Sequence, residues 1–247
     1  MTKATDPSRP QAGRFLTARW VHLAMANYEI DPAVLEPLVP RGTEIDLWHG
    51  RCFVSVVGFQ FLNTRVLGVA VPFHRNFEEV NLRFYVRRLV EGGVRRGVVF
   101  VKEVVPRRVL AWVANALYNE KYVALPMSCE DHAMDASRRL VYGWRLDGRW
   151  CRLGMTLAGE ASLPEEASEE AFITEHYWGY TGQRDGSTLE YRVEHPRWKV
   201  WRAVDTELVC DVAALYGERF APCLSARPSS SFVADGSAIV VRRGMGL

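Results

Sequence analysis

Strict alternation of apolar and polar residues marks one central segment of the chain. From 80 to 87 every even position is apolar, and the odd positions carry Asn81, Arg83, Tyr85 and Arg87. Because successive side chains of a strand point to opposite faces, this pattern predicts a strand with one apolar and one polar face. The glycines at 92 and 93 predict a turn, and the apolar residues 97–103 predict the second strand of a hairpin.

Runs rich in β-branched and aromatic residues predict strands over most of the chain. Two Asp-Gly pairs, at 147–148 and 235–236, are typical of two-residue hairpin turns, so each predicts a hairpin. The predicted strands, besides the hairpin above, are residues 14–28, 44–48, 51–62, 140–146, 149–157, 188–194, 198–208, 231–234 and 237–242.

Helical patterns are few and short. Asp31 followed by Pro32 predicts a helix start, since Asp caps free N–H groups and Pro suits the first turn. Residues 106–117 carry apolar side chains at helical spacing and predict the longest helix. A third helix is predicted at 212–216, ended by Gly217, and the acidic residues 163–170 predict a loop or a helix start.

About ten strands interleaved irregularly with three or four helices favour an α+β fold with a mainly antiparallel sheet. Strands that are partly apolar on both faces indicate a closed or sandwiched sheet around an internal pocket. We predict one domain over residues 14–247, preceded by a loose tail at 1–13. The apolar residues 239–241 leave two alternatives: pairing between subunits of a homo-oligomer, or closure of the sheet.

Composition excludes several classes of protein. With 31 basic and 29 acidic residues the net charge is +2, which gives no general reason to bind nucleic acid or an anionic membrane. No apolar run approaches the ~18 residues of a membrane-spanning helix, and the first residues lack the apolar core of a signal peptide. Five scattered cysteines without a Cys-x-x-Cys pair predict reduced thiols in a cytoplasmic protein.

The densest group of ionisable side chains runs from His74 to Tyr85. On the predicted strand Glu79, Asn81 and Arg83 share one face. If that face lines a cavity, partial desolvation would shift the pKa values of these groups, as acid–base chemistry needs. The alternative is a surface strand whose charged side chains lie in water, because alternation alone does not tell which face is wet.

A second group lies where the strand at 97–103 meets the predicted helix. Glu103 ends the apolar strand, and Arg107 and Arg108 enter the first turn of the helix. Two guanidinium groups beside free helical N–H groups are suited to hold a carboxylate or a phosphate. The alternative is a solvent-exposed pair that begins a surface helix.

Two histidines form the third group. His176, followed by Tyr177, and His195 each come after a glutamate and precede aromatic residues. Such residues can line an apolar pocket with polar groups, and the alternative is aromatic core packing. No pair of histidines lies four residues apart and no nucleotide-binding or hydrolase signature occurs, so we predict neither a metal nor a cofactor.

The chain resembles the YqjF-like DUF2071 family of bacterial proteins. The resemblance is carried by residues 20–28 (WVHLAMANY), 72–86 (PFHRNFEEVNLRFYV), 118–120 (YNE) and 175–180 (EHYWGY), and it extends over about 14–243. That family is distantly similar to acetoacetate decarboxylase. The similarity implies a cone-shaped, mainly antiparallel β-barrel with peripheral helices and a pocket inside.

Acetoacetate decarboxylase forms a Schiff base through a lysine whose pKa a second lysine lowers. The resemblance implies that Glu103 and Pro106 match the residues preceding this pair, and that Arg107 and Arg108 occupy the lysine positions. Arginine stays protonated and cannot form an imine. The chain has four lysines, and Lys102 is the only one near this segment.

The sequence therefore favours a pocketed barrel that binds a small organic ligand, anionic or carbonyl-bearing. In this interpretation Arg83, Arg107, Arg108, His74, Asn81, His176 and Tyr177 contact the ligand. A second interpretation is a lyase or hydrolase acting on a small keto acid or related carbonyl compound, with Glu79 and Glu103 as acid–base groups. A third is a non-catalytic partner or regulatory protein whose barrel is filled by side chains.

Overall fold

Two long strands form the hairpin predicted around Gly92. The structure, a computed structural model, describes residues 13–70, 75–106, 121–134 and 137–247. Strands β4 and β5 pair antiparallel, and Gly92 takes the left-handed conformation that the tight turn requires (φ 81°). The strands are β1 Arg14–Glu29, β2 Glu44–Ile45, β3 Phe53–Val66, β4 Phe77–Val90, β5 Gly93–Val105, β6 Tyr122–Ala124, β7 Met127–Met134, β8 Ser137–Leu146, β9 Arg149–Ala158, β10 Trp178–Gly182, β11 Thr188–Glu194, β12 Val200–Val209, β13 Ser230–Arg242 and β14 Met245–Gly246.

Seven of these strands close into a ring. Going around the ring, the order is β11-β10-β5-β4-β3-β1-β13. The ring closes where β13 returns to β11, with Val241 opposite Val193 and Val240 opposite Glu194. Among the described strands of the ring, β10 and β5 pair in parallel and the other neighbours pair antiparallel. Residues 239–241 thus pair within the chain and close the sheet.

A second sheet covers the outside of this ring. Strand β12 pairs with β13 of the ring, and β9, β8 and β7 follow it in the order of neighbouring strands. Large residues of this sheet, among them Tyr142 and Trp144, share one core with the apolar face of β4. At Gly58 of β3 the two layers approach so closely that a Cβ atom would lie 2.6 Å from the Tyr142 ring. The apolar face of β4 therefore points outward into this core, and its polar face points into the ring.

The described residues also form four short α-helices, α1 Pro32–Leu35, α2 Glu169–Thr174, α3 Val212–Tyr216 and α4 Ala221–Leu224, and two 3₁₀ helices, Glu36–Leu38 and Glu218–Phe220. The Asp31 side chain caps α1, and Gly217 ends α3 as predicted. Ser168 caps α2, whose Phe172 and Ile173 are buried inside the ring. Among the described residues, no helix combines the length and apolar character needed to cross a membrane.

The hairpin predicted at Asp235 and Gly236 is wrong. Residues 230–242 form one continuous strand that pairs with β1 along its whole length. Gly236 does adopt a left-handed conformation (φ 81°), but it bends the strand without reversing it, because β1 offers partners to both flanks. The helix predicted at 106–117 and the tail at 1–13 fall largely outside the described residues.

Candidate functional site

The ring encloses a cavity of about 470 Å³. Its wall is mainly apolar and aromatic, and the polar side chains in it come from β4, β5 and the segment around α2. A groove of about 580 Å³ lies outside the ring, between β12 and residues 224–231, and shares no lining residue with the cavity. The buried ionisable groups of β4 and β5 lie in the cavity and not in the groove, so the cavity is the candidate site.

Two buried carboxylates from neighbouring strands face the cavity. Glu79, Asn81 and Glu103 are each at most 2% exposed, and Asn81 lies opposite Glu103 in the β4–β5 pairing. The Asn81 amide Nδ2 donates to Glu79 Oε1 at 2.9 Å, and the Tyr122 hydroxyl donates to Glu79 Oε2 at 3.4 Å. These bonds hold the Glu79 carboxylate in one orientation at the cavity wall.

Arg83 brings a cation into the same wall. Its Nη2 donates to the Ile173 carbonyl oxygen at 3.4 Å and lies 3.8 Å from Met25 Sδ. The guanidinium carbon lies 5.6 Å from the centre of the Tyr85 ring. Arg83 forms no ion pair with a carboxylate of the described residues. A partly buried guanidinium held only by a carbonyl and a thioether retains donors for an anion in the cavity.

His176 lines the cavity and is anchored from behind. Its Nε2 lies 3.2 Å from Asp46 Oδ2, and since a carboxylate only accepts, we assign the ring proton to Nε2. Arg96 Nε donates to the same oxygen at 2.6 Å. Burial lowers the pKa of His176 to about 4, although the bond to Asp46 opposes this shift. Burial alone would raise the pKa of Asp46, but the hydrogen bonds from His176 and Arg96 bring it below its ordinary value.

His195 provides a second neutral imidazole in the wall. Its ring stacks on Trp198 at 4.0 Å, and its Nδ1 bonds to the Pro196 carbonyl oxygen at 2.8 Å. Burial lowers the pKa of His195 to about 4, against the effect of that carbonyl. Arg83, His176 and His195 all line the cavity, and the positive charge of Arg83 acts in the same direction as burial on the pKa of both histidines.

These two imidazoles predict an acid-sensitive fold. Between pH 6.5 and about 4 each histidine takes up a proton in the unfolded chain but not in the folded one. The free energy of unfolding should therefore decrease as the pH is lowered from 6.5 to about 4, by at most about 1.4 kcal/mol per pH unit for each histidine. Urea unfolding at a series of pH values measures the slope.

A matched pair of variants assigns that slope. His195→Phe should remove the contribution of His195 to the dependence of the free energy of unfolding on pH. Tyr177→Phe changes the ring beside His195 and should leave that dependence unchanged. An unchanged slope in His195→Phe would contradict the burial argument for this residue.

The structure brings most of the predicted site residues together. Glu79, Asn81, Arg83, Glu103 and His176 all line the cavity, and their roles stay a prediction. Tyr177 does not: it contacts the His195 ring at 4.6 Å and is absent from the lining, because His195 and Trp198 lie there instead. His74, Arg107 and Arg108 lie outside the described residues.

Sequence reasoning left out several lining residues. His195, which directly follows β11, was not among the predicted site residues; Tyr191 and Val193 of β11 line the cavity, and continuing their alternation by two residues would have placed His195 there. The aromatic lining by Trp20 and Trp198 carried no local signal. Within the described ranges no lysine lines the cavity, and no cluster of three His, Cys, Asp or Glu residues is arranged to hold a metal ion.

Comparison with known proteins identifies the family. The model of the DUF2071 family, described as an uncharacterized conserved protein, matches residues 17–238. The uncharacterized protein YqjF of Bacillus subtilis is 35% identical over 68 residues, which are 27% of this chain and 28% of YqjF. The matched segment thus spans little more than a quarter of that curated relative.

Solved structures share the fold at low identity. Acetoacetate decarboxylase from Legionella pneumophila superposes with a TM-score of 0.64 at 10% identity, covering 100% of this chain and 92% of the other. The enduracididine biosynthesis enzyme MppR, in complex with pyruvate, gives a TM-score of 0.66 at 13% identity, covering 97% and 93%. The closed, mainly antiparallel sheet is therefore an acetoacetate decarboxylase-like fold, and the chain belongs to the DUF2071 family.

Proposed function

We propose that this protein binds a small organic anion that also bears a carbonyl group, inside the cavity of the ring. One observation carries the proposal: the Arg83 guanidinium lies in the cavity wall without an ion pair to any described carboxylate. A desolvated cation gains most from a ligand carboxylate, which accepts two of its N–H groups. The neutral His176 and His195, which line the same cavity, offer polar contacts without competing for the negative charge of the ligand.

The structural neighbours support this choice of ligand. MppR, which shares the fold, has been solved with pyruvate bound. At 13% identity this likeness extends to the fold, so the ligand class for this chain rests on the charge of Arg83 and the size of the cavity. A volume of about 470 Å³ lies in the range of small-molecule sites and disfavours the third interpretation, a barrel filled by side chains.

Titration with pyruvate tests the proposal. Trp20, Trp178 and Trp198 line the cavity, so a bound anion should change the tryptophan fluorescence of the intact protein in a saturable way. Pyruvamide has nearly the same shape but no charge, and we expect it to bind at least ~10-fold more weakly. Equal responses to the two compounds, or none to pyruvate at millimolar concentration, would refute an anion site.

The same sample tests the chemistry at the carbonyl. Because no described lining residue is a lysine, sodium borohydride added with pyruvate should leave the mass of the protein unchanged. A reduced adduct at Lys102 or at any other lysine would show imine formation and contradict this point.

A catalytic role remains the second candidate, favoured by the position of two carboxylates. Glu79 and Glu103 lie buried on neighbouring strands and face the same space as Arg83. If Arg83 holds a carboxylate, either glutamate can exchange a proton with the adjoining carbon or carbonyl oxygen, as a lyase or hydrolase requires. Loss of substrate turnover in Glu79→Gln or Glu103→Gln with retained pyruvate binding would establish this role.

A further inference from the structure

The aromatic part of the cavity wall is unusually large for a ligand as small as pyruvate. Trp20 contacts Phe59 and Phe61 edge-on, with ring centres 5.2 and 5.6 Å apart. Phe61 stacks on Phe77 at 4.6 Å, and Trp198 lies 6.3 Å from Trp20. All five rings line the cavity. A three-carbon acid held by Arg83 would leave most of this surface uncovered.

The cluster of these five rings, which we call the aromatic chamber, is displaced from Arg83 along the strands. On β4 the cavity face presents Phe77, Glu79, Asn81 and Arg83 in order, at roughly 6.6 Å per step. In the pairing with β3, Phe61 lies opposite Phe77 and Phe59 lies opposite Glu79. Along β4 and the strands paired with it, the wall therefore changes from the cation of Arg83, past the two carboxylates, to the rings of Phe59, Phe61 and Phe77.

Such a gradient fits a ligand with two unlike ends. Resting on the proposed function, we propose that the ligand is an organic anion joined to an apolar body the size of an aryl group. Its anionic group binds Arg83, and its body fills the aromatic chamber. Rings arranged edge-on and stacked around an open space offer an aryl group the offset and T-shaped contacts that aromatic pairs prefer.

The size of the expected preference follows from apolar burial. Each methylene-sized group transferred from water into such a chamber tightens binding about fourfold. A phenyl group covers several such units, so phenylpyruvate should bind the wild-type protein at least ~30-fold more tightly than pyruvate. The comparison needs no variant, since it uses one protein and two ligands that share the same anionic head.

Calorimetric titration of the intact protein with pyruvate, phenylpyruvate and 3-phenylpropanol tests the inference. Phenylpyruvate binding at least ~30-fold tighter than pyruvate supports it. Equal affinity for the two acids overturns the inference and leaves the proposed anion site standing. Equal affinity for phenylpyruvate and the uncharged 3-phenylpropanol supports the aromatic chamber but refutes the anion site, so the two claims fail separately.

Two variants locate the effect. Phe59→Leu should weaken phenylpyruvate at least ~5-fold and leave pyruvate unchanged, since only the body of the ligand meets this ring. Phe220→Leu, in the core outside the ring, is the matched control and should leave both affinities unchanged. Equal weakening of both acids by Phe59→Leu would overturn the assignment of the aromatic chamber.

Discussion

Replacing Arg83 by methionine should weaken the binding of pyruvate at least ~10-fold while the protein stays folded. Methionine keeps the length and apolar stem of the side chain but removes its charge and donors. A charge-assisted hydrogen bond in a partly desolvated site is worth about 1.5–3 kcal/mol, which corresponds to about 10- to 150-fold in affinity. Fluorescence titration with pyruvate measures the effect, and thermal unfolding checks the fold.

Arg87→Met is the matched control. Arg87 lies on the same strand, but its exposed side chain pairs with Glu44 at 2.8 Å and is not part of the cavity lining. The change of net charge is the same in both variants, so long-range effects cancel in the comparison. If Arg87→Met weakened binding as much as Arg83→Met, the cation in the cavity would not be the anchor.

The second large effect is expected at the bend of β13. Gly236 has φ 81°, and a Cβ atom added there would lie 2.1 Å from the Trp20 carbonyl oxygen of the neighbouring strand. That oxygen belongs to the backbone of β1 and moves only if the β1–β13 pairing moves. We therefore expect Gly236→Ala to lower the free energy of unfolding by about 3 kcal/mol or more, measured by urea unfolding.

Gly148→Ala separates the steric contact from the backbone conformation. Gly148 has nearly the same φ, 82°, but nothing lies within 4 Å of an added Cβ atom. Gly148→Ala should lower the free energy of unfolding by about 1–2 kcal/mol, which is the strain of alanine in the left-handed conformation. Equal losses in the two variants would show that close contact between β1 and β13 does not limit this position.

The same pair of residues shows where local sequence signals end. The Asp-Gly pair at 147–148 makes the predicted two-residue turn between β8 and β9, and the pair at 235–236 does not make a turn. Both Asp-Gly pairs lie between segments that read as strands, so the local sequence does not distinguish them. They differ in that the flanks of Gly236 both pair with β1, a strand more than 200 residues earlier in the chain. The sequence analysis did not predict strands β7 and β10. Strand β7 is largely polar and β10 has only five residues, so neither shows a clear alternation of apolar and polar positions.

The candidate site divides in a similar way. Alternation on β4 predicted correctly that Glu79, Asn81 and Arg83 share a face, since that follows from strand geometry alone. It did not tell which face is wet, because both faces of β4 are covered: one by the second sheet and the other by the opposite wall of the ring. The bond between Asp46 and His176 joins positions 130 residues apart, and no local pattern encodes it.

The position of the carboxylate in a crystal of the protein with phenylpyruvate tests the central claim most directly. The account predicts electron density inside the ring, with the carboxylate within hydrogen-bond distance of the Arg83 guanidinium and the phenyl group among Trp20, Phe59 and Phe61. Density for the ligand in the groove outside the ring, or inside it with the carboxylate turned away from Arg83, would contradict the account.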